Sequence, residues 1–247
     1  PPRPLPVGHV LDLGPLAVDR VKLHGLLAQR AVRLDDRQKN GAAVPLAPRN
    51  DNGLVEERVK SIASSAVAAV GEFGPFSALL ERLAAAGVVV HRRPADAGPV
   101  RIEAADVWIV PTGGRTATRL AHEYGHADVV VLDWARDWAQ TPRAALARAD
   151  GCAQDSWACA LGLLQRAGIA VTPLDDVAGL ILARTVAMLA NEAADAVLAG
   201  IGTPRDIDTA MRYGTNYPLG PLAWGEATGV ARIVGLLDRL AELYGED

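Results

Sequence analysis

Three groups of residues in this chain have the types and spacing to do chemistry. His122-Glu-Tyr-Gly-His126 matches H-E-x-x-H, in which two imidazoles one helical turn apart hold zinc and the Glu acts as general base. That chemistry needs a helix running through both His residues and a third ligand downstream. In the competing, favoured reading, Gly125 ends the helix and His126 already leads into Asp128-Val-Val-Val-Leu132. The pair Gly113-Gly114 lies between a strand-like run and a helical one, where backbone amides can receive a phosphate; a plain tight turn is the simpler reading. Third, Arg184, Asn191, Glu192 and Asp195 are the polar exceptions in an apolar stretch and fall on one side of a helix. A structural ion-pair network of Arg184 with Glu192 and Asp195 is the favoured reading there. His9, His24 and His91 are isolated, and such residues are more often structural or exposed than functional.

The elements that must position these groups follow from periodicity and turn chemistry. Residues Ala178–Ala199 are almost wholly Ala, Leu, Val, Ile and Met, which predicts a helix packed nearly all round. Gly200 and Gly202 end it, and Thr203, Pro204 and Asp206 supply the N-cap, first position and first turn of a second helix, 205–213. The following Gly214-Thr-Asn-Tyr-Pro-Leu-Gly-Pro221 is a stiff, sharply turned loop suited to a pocket wall. A last amphipathic helix spans 230–244. Upstream, strands are expected at 88–91, 105–110, 128–132 and 169–172, with a further short strand at 7–13. Helices are expected at 17–33, 54–70, 76–86, 115–124 and 156–167, and a long surface loop at 34–52. Strands alternating with helices imply a parallel sheet. The fold class is therefore α/β followed by all-α, with an α/β domain over 1–172 and a helical domain over 173–247.

The chain has 247 residues, half of them hydrophobic, and a formal net charge of −4. This balance gives no reason to expect nucleic acid or an anionic membrane surface as a partner. Charges interrupt every apolar run before it could span a bilayer, and no signal peptide is visible at the start, so a cytoplasmic protein is expected. Cys152 and Cys159 read as free buried thiols. The chain begins without Met, which suggests a fragment of something longer.

Four spaced motifs carry a resemblance. Asp176-x-Ala-Gly-Leu-Ile-x-Ala-Arg184, Asn191-Glu-Ala193, Asp206-Ile-Asp208 and Gly214-x-x-x-Pro-x-Gly-Pro221 resemble the C-terminal helical domain of the 3-hydroxyacyl-CoA dehydrogenases. The family carries Pro, Phe and Asn where this chain has Ala178, Leu180 and Ala183. The match looks closest to the second half of the long, duplicated bacterial enzymes, such as the 3-hydroxybutyryl-CoA and phenylacetate-pathway 3-hydroxyadipyl-CoA dehydrogenases. The resemblance implies an NAD-dependent oxidation of a 3-hydroxyacyl-CoA by the parent polypeptide. It makes Arg184, Asn191, Asn216, Pro218, Gly220 and Pro221 candidates to line an acyl-CoA pocket. The family's general base is a His after a strand, held by a Glu twelve residues later. Those positions fall here on Asp133, a carboxylate with no evident cause for a shifted pKa, and Ala145. No G-x-G-x-x-G follows the first strand, where Gly14 meets Pro15, so no NAD is expected on this chain. The reading is a degenerate Rossmann-like domain plus the family's helical domain. The combination would be non-catalytic and would serve packing and homodimer formation through the 178–199 helix, with Leu182, Val186, Leu189 and Val197 as contact candidates. The alternatives are a functioning dehydrogenase with an atypical cofactor site and a zinc hydrolase built on His122-Glu-Tyr-Gly-His126.

Overall fold

The structure, a computed structural model, describes residues 64–245. The expected strand at 7–13, helix at 17–33, loop at 34–52 and the first part of the helix at 54–70 lie outside these residues, as do His9 and His24. Seven strands and seven α-helices follow. They are β1 (Ala66–Val70), α1 (Ser77–Ala85), β2 (Val89–Arg93), β3 (Arg101–Ala104), β4 (Val107–Pro111), α2 (Ala117–Tyr124), β5 (Val129–Leu132), β6 (Arg143–Arg148), α3 (Gln154–Arg166), β7 (Ala170–Pro173), α4 (Leu182–Leu198), α5 (Pro204–Gly214), α6 (Pro221–Thr228) and α7 (Val230–Tyr244).

The strands form one sheet in the order β2-β1-β3-β4-β5-β6-β7. It is mixed, not parallel: β1/β2, β4/β5 and β6/β7 run parallel, while β1/β3, β3/β4 and β5/β6 run antiparallel. Three strands account for the difference. Ala66-Val-Ala-Ala-Val70 reads as the end of a helix because Ala is the best helix former, yet it pairs on both sides and buries Val67, Ala69 and Val70. Arg101–Ala104 is short and half charged, and Arg143–Arg148 has three Ala and a Leu between two Arg with no β-branched residue, so neither is expected from its own residues. β3 joins β4 through a two-residue turn in which Ala105 adopts φ 48°, as such hairpins require. In contrast, β5 is buried at all four residues, as a strand covered on both faces should be.

Helix α4 begins four residues later than its apolar run. Gly179 and Leu180 take left-handed φ of 75° and 49°, a conformation no helix can include. It buries one side, on α6, α7 and α5, and leaves Thr185, Glu192 and Leu198 exposed, so it is not packed all round. Thr203 is the expected N-cap of α5, and with Asp206 it forms a reciprocal capping box. Helix α6, which the sequence pattern did not suggest, starts with Pro221 at its first position and is parted from α7 by Gly229 at φ 103°. Buried apolar residues of the sheet and of α4, α6 and α7 belong to one continuous cluster.

Candidate functional site

Parallel neighbours β4 and β5 end side by side, and the turns that follow them build a cleft. After β4 come Thr112 and the Gly113-Gly114 turn into α2; after β5 come Asp133 and Trp134. The Trp134 indole Nε1 donates to the Thr112 carbonyl at 3.0 Å and ties the two strand ends together. Helix α7 closes the far side. Its Arg239 donates to the Gly113 carbonyl at 3.0 Å. A Cβ on Gly114, itself at φ 99°, would stand 3.0 Å from the Leu236 carbonyl oxygen. The glycine is thus required by the helix seated on the turn. Between these walls lies a cavity of about 400 Å³, lined by Val100, Val110, Leu120 and Trp134 among apolar residues and by Arg115, Arg232 and Arg239. Arg232 is half-buried, and desolvation pulls it down from the ordinary guanidinium value.

Asp133 precedes the lining residue Trp134 but does not itself line the cavity, and it is only 2% exposed. Its carboxylate accepts from the amides of Ile181 (3.0 Å), Leu182 (2.7 Å) and Ala183 (2.9 Å), the first turn of α4, and from Trp134 (2.8 Å). It is an N-cap supplied from about fifty residues away. Contrary to the sequence expectation there is a cause for a shift: burial pushes the carboxyl up from its ordinary value, against the pull of the four amides. Two further positions that the resemblance singles out lie beside it. The Asp133 amide donates to the Ala145 carbonyl at 2.9 Å across the β5/β6 ladder, and Ala183, wholly buried, donates its amide to the Asp133 carboxylate. The three positions expected, from the resemblance, to match base, partner and Asn are adjacent in space and hold a carboxylate and two methyl groups. Asp176 repeats the device at α2, accepting from Ala117 (2.6 Å) and Thr118 (2.8 Å).

The six pocket candidates do not converge. Gly220 lines a second cavity of about 570 Å³ between α5 and α6, with Arg205, Asp208, Arg212, Tyr213 and Leu219. Its lack of a side chain is explained by Asp208, which a Cβ would overlap and which accepts from Leu222 and Ala223 at 2.8 and 3.0 Å. Pro221 is the first residue of α6. Asn216, at φ 58°, and Pro218 are exposed on the loop. Arg184 lies over the Tyr244 ring at 4.9 Å and reaches its hydroxyl at 3.4 Å. Glu192 is exposed and so takes no part in a buried network with Arg184. Asn191 is fully buried, and neither atom of its amide has a hydrogen-bond partner among the described residues. Of the charged residues that line the cleft beside β4 and β5, Arg232 and Arg239 sit on the polar side of an amphipathic helix and gave no signal beyond that, and Arg115 gave none.

In His122-Glu-Tyr-Gly-His126, Gly125 ends α2 in the left-handed conformation (φ 64°) and His126 stacks on Trp108 at 4.3 Å. His122 is exposed, and Glu123 pairs with Arg115 at 3.1 Å. No group of three metal-ligating side chains occurs among the described residues. Cys152 and Cys159 are free and buried; burial, aided by Asp128, pushes the Cys152 thiol up to about 11. No described helix is long and apolar enough to cross a membrane.

Two family models match consecutive stretches of the chain. Residues 109–177 match the 3-hydroxybutyryl-CoA dehydrogenase reduced Rossmann-fold domain, and residues 179–247 match the 3-hydroxyacyl-CoA dehydrogenase C-terminal domain. The chain is 42% identical over 142 residues to a 3-hydroxyadipyl-CoA dehydrogenase of Escherichia coli (strain K12), covering 58% of this chain and 29% of that protein. It is 32% identical over 78 residues to a probable 3-hydroxybutyryl-CoA dehydrogenase of Deinococcus radiodurans, covering 31% and 28% of the two chains. A crystal structure of 3-hydroxybutyryl-CoA dehydrogenase from Escherichia coli K12 is similar with a TM-score of 0.56 at 40% identity, over 60% of this chain and 30% of that one. The matched region spans less than a third of each of these relatives.

Proposed function

We propose a function from one premise: the chain belongs to the 3-hydroxyacyl-CoA dehydrogenase family. In this reading it is a second, non-catalytic copy of the family's unit, within a longer polypeptide whose other part oxidises a 3-hydroxyacyl-CoA with NAD. The observation that carries it is Asp133. The position that would hold the base is a buried carboxylate whose lone pairs are committed to four amides, and the side chain opposite, where a Glu would orient that base, is the methyl of Ala145. Such a group has no free acceptor within reach of a substrate hydroxyl.

The strand-to-helix turn also does not fit a dinucleotide. A pyrophosphate needs a glycine-rich turn open to it and the free amides of the following helix. Here the Gly114 side of the turn is closed by Leu236, and the first amides of α2 are held by Asp176. The acyl-CoA reaches the longer polypeptide as substrate, and the role of this part is packing and shaping the assembly. Homodimer formation through the helical domain belongs to the same reading, with Leu182, Leu189 and Val197, all partly exposed, as contacts. Val186 is 2% exposed and is withdrawn from that set, because it already packs inside the protomer.

Calorimetric titration of the 247-residue chain with NADH tests the reading. No saturable heat is expected; one site of micromolar affinity would overturn it. Light scattering on the same sample should give twice the chain mass, and a monomer at high concentration would remove the dimer.

A further inference from the structure

We propose that the cleft at the ends of β4 and β5 binds a small organic carboxylate with a short apolar body. Its wall carries three guanidinium groups and, among the lining residues, no Asp or Glu. Among the described residues, Arg239 donates only to the carbonyls of Gly113 and Gly235, each at 3.0 Å. Arg232 donates to the Phe73 carbonyl at 3.1 Å and lies 5.3 Å from the centre of the Phe76 ring. Neither has a carboxylate partner among the described residues. Arg115 reaches Glu123 through one terminal nitrogen, while its Nε is buried and unpaired. Partly buried cations without an anion are costly, and an anion in the cleft would offset that cost.

The rest of the wall selects the kind of anion. Val100, Val110, Leu120 and Trp134 offer an inorganic ion nothing but desolvation, whereas they favour a carbon chain by burying it. A planar carboxylate also matches the fork of a guanidinium through paired hydrogen bonds. The volume, about 400 Å³, is at the small end of ligand pockets and suits a short-chain acid rather than a nucleotide. The place is where open α/β sheets bind ligands, outside the carboxyl ends of parallel strands. The proposal stands apart from the reading of this chain as non-catalytic, because it uses neither Asp133 nor a cofactor.

The test is a calorimetric titration of the whole chain with hexanoate, hexanamide and inorganic phosphate, each up to about 10 mM. Hexanoate should bind at one site, and hexanamide (the body without the charge) and phosphate (the charge without the body) should each bind at least about tenfold more weakly. Arg115→Gln, whose only bond is to an exposed-side carboxylate, should weaken hexanoate about tenfold with thermal unfolding unchanged. Glu123→Gln should leave hexanoate binding intact or tighter. Equal binding of hexanamide, equal or tighter binding of phosphate, or no hexanoate binding at all would each overturn the proposal. The wild-type ligand series decides the matter even if a variant fails to fold.

Discussion

Asp133 and Asp208 perform the same task in two regions under different conditions. Each places a carboxylate on the first amides of a helix, α4 for Asp133 and α6 for Asp208, where orphan N–H groups and the helix dipole favour an anion. Asp208 reaches across 14 residues to Leu222 and remains half-buried within the helical part. Asp133 reaches across 49 residues to Leu182, from the end of a sheet strand, and is almost fully buried. Solvation still helps the first carboxylate; the second depends on its four amides alone. The local cap leaves a readable trace, because Gly220 must lack a side chain to let Asp208 approach. The long-range cap leaves none at α4, since Ile181, Leu182 and Ala183 contribute only backbone. Both carboxylates thus join chain segments through backbone amides, one locally and one over a long range.

The comparison can be broken by removing each carboxylate. Asp133→Ala would leave several buried amides unpaired at the junction of sheet and helices. It should lower stability by roughly 3–5 kcal/mol in urea unfolding; a loss below about 1 kcal/mol would show that the cap is not what holds α4 to the sheet. Asp208→Ala exposes the freed amides to water and should cost about 1–2 kcal/mol, in the range of an ordinary N-cap. If the two losses were equal, burial would not be the distinction.

The smallest effect is in pH dependence. Burial raises the folded-state pKa of Asp133 above its ordinary value of 3.8, so between those values the folded chain holds more protons than the unfolded one. Stability from this group is then greatest below 3.8 and falls as pH rises through the folded pKa. Asp133→Asn cannot titrate, so its stability relative to the parent chain should rise from acid to neutral pH. Asp96 and Asp206 are shifted downward by Arg101 and Thr203, respectively, and act in the opposite sense, but they are common to both proteins and cancel in the difference. A flat difference across that range would contradict the buried-carboxylate account.

The family and three of the four helices of the C-terminal half, α4, α5 and α7, were legible in the amino-acid sequence, while α6 was not. Caps and breakers are local chemistry: Thr203 with Asp206, Gly200 and Gly125 act where they stand, and the apolar runs of α4 and α7 are long enough for their period to be read, whereas Gly214, expected as a breaker, is the last residue of α5. Val129–Leu132 was equally legible because a run of β-branched residues has one stable use. Only the tertiary structure decided the sheet. Ala66–Val70 and Arg143–Arg148 are strands because neighbours pair with them, a long-range term that outweighs the helix propensity of their alanines. It also decided what Asp133, Gly114 and Arg239 do. Each is defined by a partner at least 40 residues distant in the chain, and no local pattern encodes where a remote backbone will lie.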